Sequence, residues 1–267
     1  MAESDAAIAL PPAGKEDRHF VTALARGLEL LACFRSSDRV LGNQELAERC
    51  KLPKSTVSRL TYTLTRLGYL HYDEAAGKYR PGTATLALGS AMLARLDVRA
   101  LARPGMQQIA DFSGAMVSLG MRDRLSMIYV ENCRSQAALT LALDVGSRIP
   151  IARTAMGRAY LALAPVLERN EILQRVRELD GANWSQINDG VQRALEEYAE
   201  YGCCTSLGDW QADVNAIAVA CRPADGSMPI SINCGGPAFN LPASFLLQEV
   251  RPRLRQLVDQ LRQSVAA

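Results

Sequence analysis

The sequence predicts a two-domain chain of mixed α+β and α/β class, a small domain of three helices and a hairpin followed by a larger one in which strands and helices alternate. Three observations predict it. The chain has 267 residues, more than one average domain and comfortable for two. Apolar residues recur at helical spacing from Thr22 to Leu67, and only beyond Val98 does the pattern alternate between helix and strand signals. The charge is uneven: residues 19–82 hold ten Lys/Arg and six Asp/Glu, whereas residues 98–267 hold seventeen of each. A basic small part joined to a neutral large one suits a nucleic-acid binder with a separate sensing body.

Other classes are excluded early. No apolar run reaches the ~20 residues of a membrane span. Residues 1–18 read as a disordered tail with no secretory pattern, and a reducing cytoplasm is the expected setting. The seven cysteines show no C-x-x-C spacing, so neither a disulfide scaffold nor a structural zinc site is expected.

The small domain, 19–82, is read element by element. Leu24, Leu28, Leu31 and Phe34 make one apolar stripe of a first helix. A second begins at Gly42 or Asn43, carries Glu45 in its first turn, turns Leu46 and Ala47 inward and ends near Cys50. Lys51-Leu52-Pro53 is a tight connection. In the third helix Val57, Leu60, Leu64 and Leu67 form the aliphatic face, and Lys54, Ser55, Thr56, Ser58, Arg59, Thr61, Tyr62, Thr63 and Arg66 the other. No carboxylate lies between Lys54 and Leu67. Ordinary surface helices mix Glu with Lys for i,i+4 pairing; a face of hydroxyls and arginines suits phosphates, and Arg can read guanine in the major groove. Gly68 stops the helix. Tyr69–Tyr72 and Lys78–Arg80 then flank a turn-rich tip, a hairpin. Three helices and a basic hairpin make a winged helix-turn-helix.

These residues carry a resemblance. Ala25-Arg26-Gly27-Leu28, Glu45-Leu46-Ala47, the run Leu52-Pro53-Lys54-Ser55-Thr56-Val57-Ser58-Arg59-Leu60 and Leu67-Gly68-Tyr69-Leu70 resemble the DNA-binding half of IclR-type bacterial transcriptional regulators. The resemblance implies a homodimer, or a dimer of dimers, on a palindromic double-stranded operator. By position it assigns recognition to Lys54, Ser55, Thr56, Ser58, Arg59, Tyr62 and Thr63. Lys78 and Arg80 become wing contacts, and Gln44 reaches a phosphate.

Residues 83–97 read as an amphipathic linker helix with Leu86, Leu93 and Leu96 inward, capped by Thr83 or Thr85; the resemblance implies that it also helps dimerise. In the large domain, 98–267, helices are expected at Pro104–Ser113, from a Thr154 cap through Ala164, at Glu168–Leu179 and at Asn188–Glu200. Strands are expected at Ala115–Met121, Leu125–Glu131, Ala137–Leu143, Asp213–Cys221 and Met228–Cys234, with a loop and short strand at Gly146–Ile151 and a turn at Pro223–Gly226. Asn240 caps a terminal helix carrying Leu246, Val250, Leu254, Leu257 and Leu261 on one face. Antiparallel pairs under helices make a sensor-like domain rather than a doubly wound sheet.

The resemblance continues through Gly146-Ser147-Arg148-Ile149-Pro150, Thr154–Ala162 and Gly236-Pro237. It implies a GAF-like effector-binding domain whose pocket holds Leu141, Ile149, Ala155, Met156, Ser206, Val214, Ala216, Asn233 and Gly235. The chain departs from the family pattern twice. Arg158 stands where Lys is frequent, and the acidic run usual after Gly-Tyr is replaced by the stretch Tyr201–Asp209. With fewer carboxylates nearby, Arg148 and Arg153 favour an anionic effector, a small organic or aromatic acid; the other reading leaves them as solvated loop residues.

Catalytic and cofactor motifs are absent, and the two histidines, His19 and His71, lie outside the large domain. Neither an enzyme, a metal nor a cofactor is expected. The resulting expectation is a ligand-responsive regulator of a metabolic, catabolic gene cluster. Its alternative is a redox-responsive regulator using Cys203 and Cys204.

Overall fold

The computed structural model describes residues 19–35, 38–135, 143–223 and 228–264. The expected tail, Leu141, most of the strand Ala137–Leu143 and the turn after Pro223 lie outside them. Two compact units are defined, Met1–Leu96 and Asp97–Ala267.

In the first unit, helices α1 (Thr22–Ala32), α2 (Asn43–Cys50) and α3 (Lys54–Arg66) precede the hairpin β1 (Leu70–Asp73) and β2 (Lys78–Pro81). Their apolar core is Leu30, Leu41, Leu46, Val57 and Leu70. Tyr79 exchanges both backbone hydrogen bonds with Leu41 at 2.8 Å, which adds a third rung to the wing. Lys51 takes φ +54° at the α2–α3 turn. The α3 end is a paired left-handed cap: Gly68 sits at φ +77°, its N–H donates to Thr65 O, and the Tyr69 N–H donates to Leu64 O.

Two helix faces differ from the expected ones. In α1 the buried residues are Gly27 and Leu30, while Leu24 and Leu28 are 61% and 55% exposed. The helix carries leucines on two sides, and the side holding Gly27 and Leu30 is the one turned into the core, with Leu60 of α3 near Gly27. In α3, Thr61 is buried and Leu67 exposed. The Thr61 hydroxyl donates to Ser58 O at 3.1 Å and lies 3.3 Å from Asn43 Oδ1, so a hydrogen-bonded polar group occupies the core-facing position.

Helix α4 (Thr83–Leu93) also departs from expectation. Gly82, not Thr83 or Thr85, is its cap residue, and none of its residues is buried. Leu86, Leu88 and Met92 all point to solvent. It is apolar around its circumference rather than amphipathic.

The second unit is α+β. Helix α5 (Asp97–Ser113) starts seven residues before the expected Pro104. Proline there removes one N–H but does not stop the helix, because Val98, Ala102, Met106 and Ile109 bury a continuous stripe across it. The strands are β3 (Met116–Asp123), β4 (Ser126–Arg134), β5 (Arg148–Pro150), β6 (Cys204–Leu207), β7 (Val214–Cys221) and β8 (Ile230–Pro237). They form one antiparallel sheet in the order β5-β4-β3-β8-β7-β6. Leu143 is not in a strand, and β6 is absent from the sequence expectation: the four residues Cys-Thr-Ser-Leu give little periodicity.

Helix α6 (Ala155–Leu163) packs on one face of the sheet with α8 (Trp184–Tyr201) over it, and α7 (Val166–Leu179) precedes α8. On the other face lie α5 and a terminal helical rod. The rod comprises α9 (Ala243–Phe245), a π-turn Leu246–Val250 and α10 (Arg251–Ser264). Its cap residue is Pro242, whereas the Asn240 N–H bonds Pro237 O in the preceding turn. Leu246, Val250, Leu254, Leu257 and Leu261 are buried as their spacing predicts.

Candidate functional site

Two sites are described, one in each unit. The first is the outer face of α3. Lys54, Ser55, Ser58, Arg59, Tyr62 and Thr63 are exposed and Thr56 half-buried, with the Tyr62 ring 66% exposed. One turn separates Ser55, Arg59 and Tyr62, so they line the same stripe. Lys54, Arg59 and Arg80 form no ion pair among the described residues. The α3 N-terminus adds its own partial positive charge, with no acid in the first turn to offset it.

Helix α2 sets the angle of this face. Asn43 Nδ2 reaches Ser58 Oγ at 3.4 Å and Asn43 Oδ1 lies 3.3 Å from Thr61 Oγ1. The first residue of α2 thus ties two consecutive turns of α3. Asn43 had been read only as a cap. Gln44 is exposed and accepts from Lys54 Nζ at 3.3 Å, so these two are brought together. On the wing, Arg80 is exposed, but Lys78 is not a free cation: its Nζ lies 3.0 Å from Glu45 Oε2. The Gly42 N–H and then Lys78 hold the Glu45 carboxyl below the usual carboxylate range. A phosphate contact by Lys78 has to replace this pairing.

The second site is a narrow cavity between the sheet and the start of α6, lined by Met116, Tyr129, Ile149, Thr154, Ala155, Ser206, Trp210, Val214, Ala216, Asn233 and Gly235. Of the residues expected there, Ile149, Ala155, Ser206, Val214, Ala216, Asn233 and Gly235 meet on its wall. Met156 does not: it faces the sheet beneath Gly120, where a Cβ would collide with its sulfur, and its carbonyl accepts from Ser231 Oγ at 3.0 Å. Leu141 lies outside the described residues. The sequence reading missed Met116, Tyr129 and Trp210 as wall residues and saw Thr154 only as a cap. The period-2 pattern places Met116 and Tyr129 on strands, but not on which face.

Thr154 does cap α6, its Oγ1 accepting from the Gly157 N–H at 3.2 Å. Gly157 lets the helix start press onto the Ile151 backbone, where any Cβ would overlap the carbonyl. Asn233 of β8, on the cavity wall, has Ser118 of β3 as its register partner. Both are buried, and Ser118 Oγ and Asn233 Oδ1 have no hydrogen-bond partner among the described residues. Burial pushes the Tyr129 hydroxyl up to about 12, against the smaller pull of the Asn233 and Ser118 side chains beside it, so it stays protonated.

Among the described residues, no charged side chain lines this cavity. Arg148 and Arg153, expected to favour an anion, are taken up elsewhere: Arg148 Nη2 pairs with Asp123 at 2.7 Å and Arg153 Nη2 with Asp180 at 3.0 Å. Arg158 is 3% exposed and donates to Ala152 O, Thr205 O and Asp209, filling space that Gly190 leaves open. Its role is to join α6 to the β6 end. Cys203 and Cys204 are wholly buried, and burial raises the Cys203 thiol to about 11 and Cys204 well above its ordinary value. Thiols kept protonated and out of solvent do not make a sensor, so the structure does not support the expected redox role for this pair.

A winged helix-turn-helix with an acid-free outer helix, attached to a sheet domain enclosing an apolar cavity, defines a DNA-binding regulator with an effector-binding domain. The comparisons agree. Residues 23–74 match the IclR helix-turn-helix domain and residues 90–263 match the description "Bacterial transcriptional regulator IclR C-terminal". An HTH-type transcriptional regulator TsaQ1/TsaQ2 of Comamonas testosteroni is 36% identical over 92% of this chain and 89% of its own. The Pca regulon regulatory protein of Pseudomonas putida is 26% identical over 92% and 86%. The crystal structure of an IclR family transcriptional regulator from Brucella abortus superposes with a TM-score of 0.86 at 44% identity, covering 96% of both chains. An IclR homolog of Microbacterium hydrocarbonoxydans, complexed with 4-hydroxybenzoate, shares the fold at 22% identity and a TM-score of 0.71, over 91% and 98% of the chains. The chain belongs to the IclR family of bacterial transcriptional regulators and is not an enzyme.

Proposed function

We propose that the chain acts in the cytoplasm as a homodimer, or as a dimer of dimers, that sets α3 of each copy into successive major grooves of a palindromic operator. A small metabolite in the cavity shifts operator affinity, and the genes controlled form a catabolic cluster. The observation that carries this reading is the outer face of α3, where Lys54, Ser55, Ser58, Arg59, Tyr62 and Thr63 stand exposed with no carboxylate among them. Thr56, Gln44 and Arg80 extend it, and Lys78 joins once released from Glu45. The dimer is supported by apolar surface with nothing covering it in one chain: Val21, Leu24 and Leu28 on α1 and its entry, and Leu86, Leu88 and Met92 on α4, each at least half exposed.

The cavity points to an aromatic metabolite with a polar substituent. Its wall offers aromatic rings and aliphatic side chains, and the open acceptor Asn233 Oδ1 calls for a donor on the effector. An acid group would meet only N–H groups at the α6 start, since no cationic side chain is present. The cavity measures ≈ 20 Å³, about one water's room, so binding needs a wall to move; the Trp210 side chain, on the loop between β6 and β7, is the one expected to swing out. A ligand that binds the opened arrangement better shifts the protein toward it.

Selection from randomised duplexes, followed by titration with 4-hydroxybenzoate, benzoate and phenol, tests both halves. An inverted repeat should be recovered, and the hydroxylated probes should shift its affinity in the wild type but not in Asn233→Leu. Recovery of a single half-site as the optimal sequence would contradict the dimer, and a response to benzoate alone would contradict the donor requirement.

A further inference from the structure

We propose that Cys33 and Cys50 are a peroxide-oxidisable dithiol whose closure to a disulfide alters DNA binding by this chain. The two sulfurs lie 3.0 Å apart. Cys33 follows the last residue of α1, and Cys50 is the last residue of α2. Both are only half-buried, unlike Cys133, Cys203, Cys204, Cys221 and Cys234. The pair lies in the DNA-reading unit, with Cys50 four residues before the first residue of α3.

The surroundings divide the labour. Either sulfur can donate across this contact. With Cys33 ionised the Cys50 thiol donates to it, and the Arg49 guanidinium, held over the site by a bond to Cys33 O at 2.9 Å, adds positive charge; together they lower the Cys33 thiol, while burial and Glu29 oppose them. Cys50 is correspondingly raised and keeps its proton. Arg49 is itself fixed by a two-point pairing with Asp38. Cys33 is therefore the nucleophile and Cys50 the resolving thiol.

The chemistry balances with hydrogen peroxide as oxidant. The Cys33 thiolate attacks one peroxide oxygen, the O–O bond breaks, and the departing hydroxide takes a proton to become water. The Cys50 sulfur then attacks the Cys33 sulfenic acid, the S–O bond breaks, and the leaving hydroxide carries off the Cys50 proton as a second water. Two thiols lose two electrons and two protons, and the peroxide is reduced to two waters. Closing the bond draws the sulfurs to about 2.05 Å. Arg49 already ties the α1 end to α2 through Cys33 O, and Cys50 leads directly into Lys51-Leu52-Pro53, so the shift is passed through that connection to the attitude of α3.

The full chain treated with peroxide should lose the mass of two hydrogen atoms and yield one cross-linked peptide joining Cys33 to Cys50, reversed by dithiothreitol. In Cys50→Ser the Cys33 sulfenic acid should be trapped by dimedone; in Cys33→Ser, Cys50 should stay reduced at the same dose. The oxidised wild type should then show a shifted midpoint on the selected duplex, and oxidant-treated Cys33→Ser should not. Oxidation falling first on another cysteine, no cross-link, or a cross-linked form with unshifted midpoint each overturns the proposal. Its DNA arm rests on the reading of α3 given above, whereas the mass measurement stands without it and separates failure of one from failure of the other.

Discussion

Gly157→Ala is expected to lower the stability of the effector-binding domain by on the order of 3 kcal/mol, the sum of overpacking and a disturbed cap. Gly157 is the third residue of α6, and its hypothetical Cβ overlaps the carbonyl, carbonyl carbon and Cα of Ile151. These are backbone atoms, which cannot rotate aside as the end of a side chain can. Relief requires lifting the α6 start off the sheet, and that also pulls the Gly157 N–H from Thr154 Oγ1. A loss of this size corresponds to a fall of about 6–12 °C in Tm for a domain of this length. Gly89→Ala is the control. Gly89 is exposed on α4 with nothing within 4 Å of a Cβ, and alanine there should be neutral or gain up to about 1 kcal/mol. Equal Tm values for the two variants would show that the tight seat of α6 is not what holds the cavity wall.

Arg59→Ala is expected to weaken binding to the selected duplex by about 1–3 kcal/mol, roughly 5- to 150-fold, if its guanidinium takes two acceptors on a guanine. The residue is exposed, in the middle of α3, without an ion-pair partner among the described residues, so truncation leaves no buried charge behind and the fold should be untouched. Binding measured on the selected duplex and on duplexes altered one base pair at a time separates two outcomes. Loss of discrimination at one position marks a base contact; a uniform loss across all of them marks a phosphate contact.

Much of this was legible in the residues, and the failures have physical causes. Strong single signals worked: Gly68 as helix stop, Thr154 as cap, and the terminal leucine stripe. What failed were choices between equivalent faces. Leu24 and Leu28 have the right spacing for a core, but the stripe through Gly27 and Leu30 is the one that is buried, and spacing alone does not choose between them. Thr61 looks like a surface residue until Asn43 satisfies its hydroxyl. The pocket positions taken from family resemblance largely converge on one cavity, yet spacing could not supply Tyr129 or Trp210, because cross-strand register and loop path are long-range facts. The same holds for charge. Arg148, Arg153 and Lys78 read as available cations, and each is engaged by an acid distant in sequence or on another element. Cysteines follow the rule too: adjacency in sequence drew attention to Cys203 and Cys204, whereas the chain brings Cys33 and Cys50 together across 17 residues.

The most direct measurement is the affinity for the selected duplex as a function of salt, in wild type and in Lys54→Ala. The account predicts a linear fall of log affinity with log salt concentration, with a slope shallower by about one unit in the variant because one released counterion is lost. An affinity indifferent to salt, or a slope that Lys54→Ala leaves unchanged together with wild-type binding by Arg59→Ala, would contradict it.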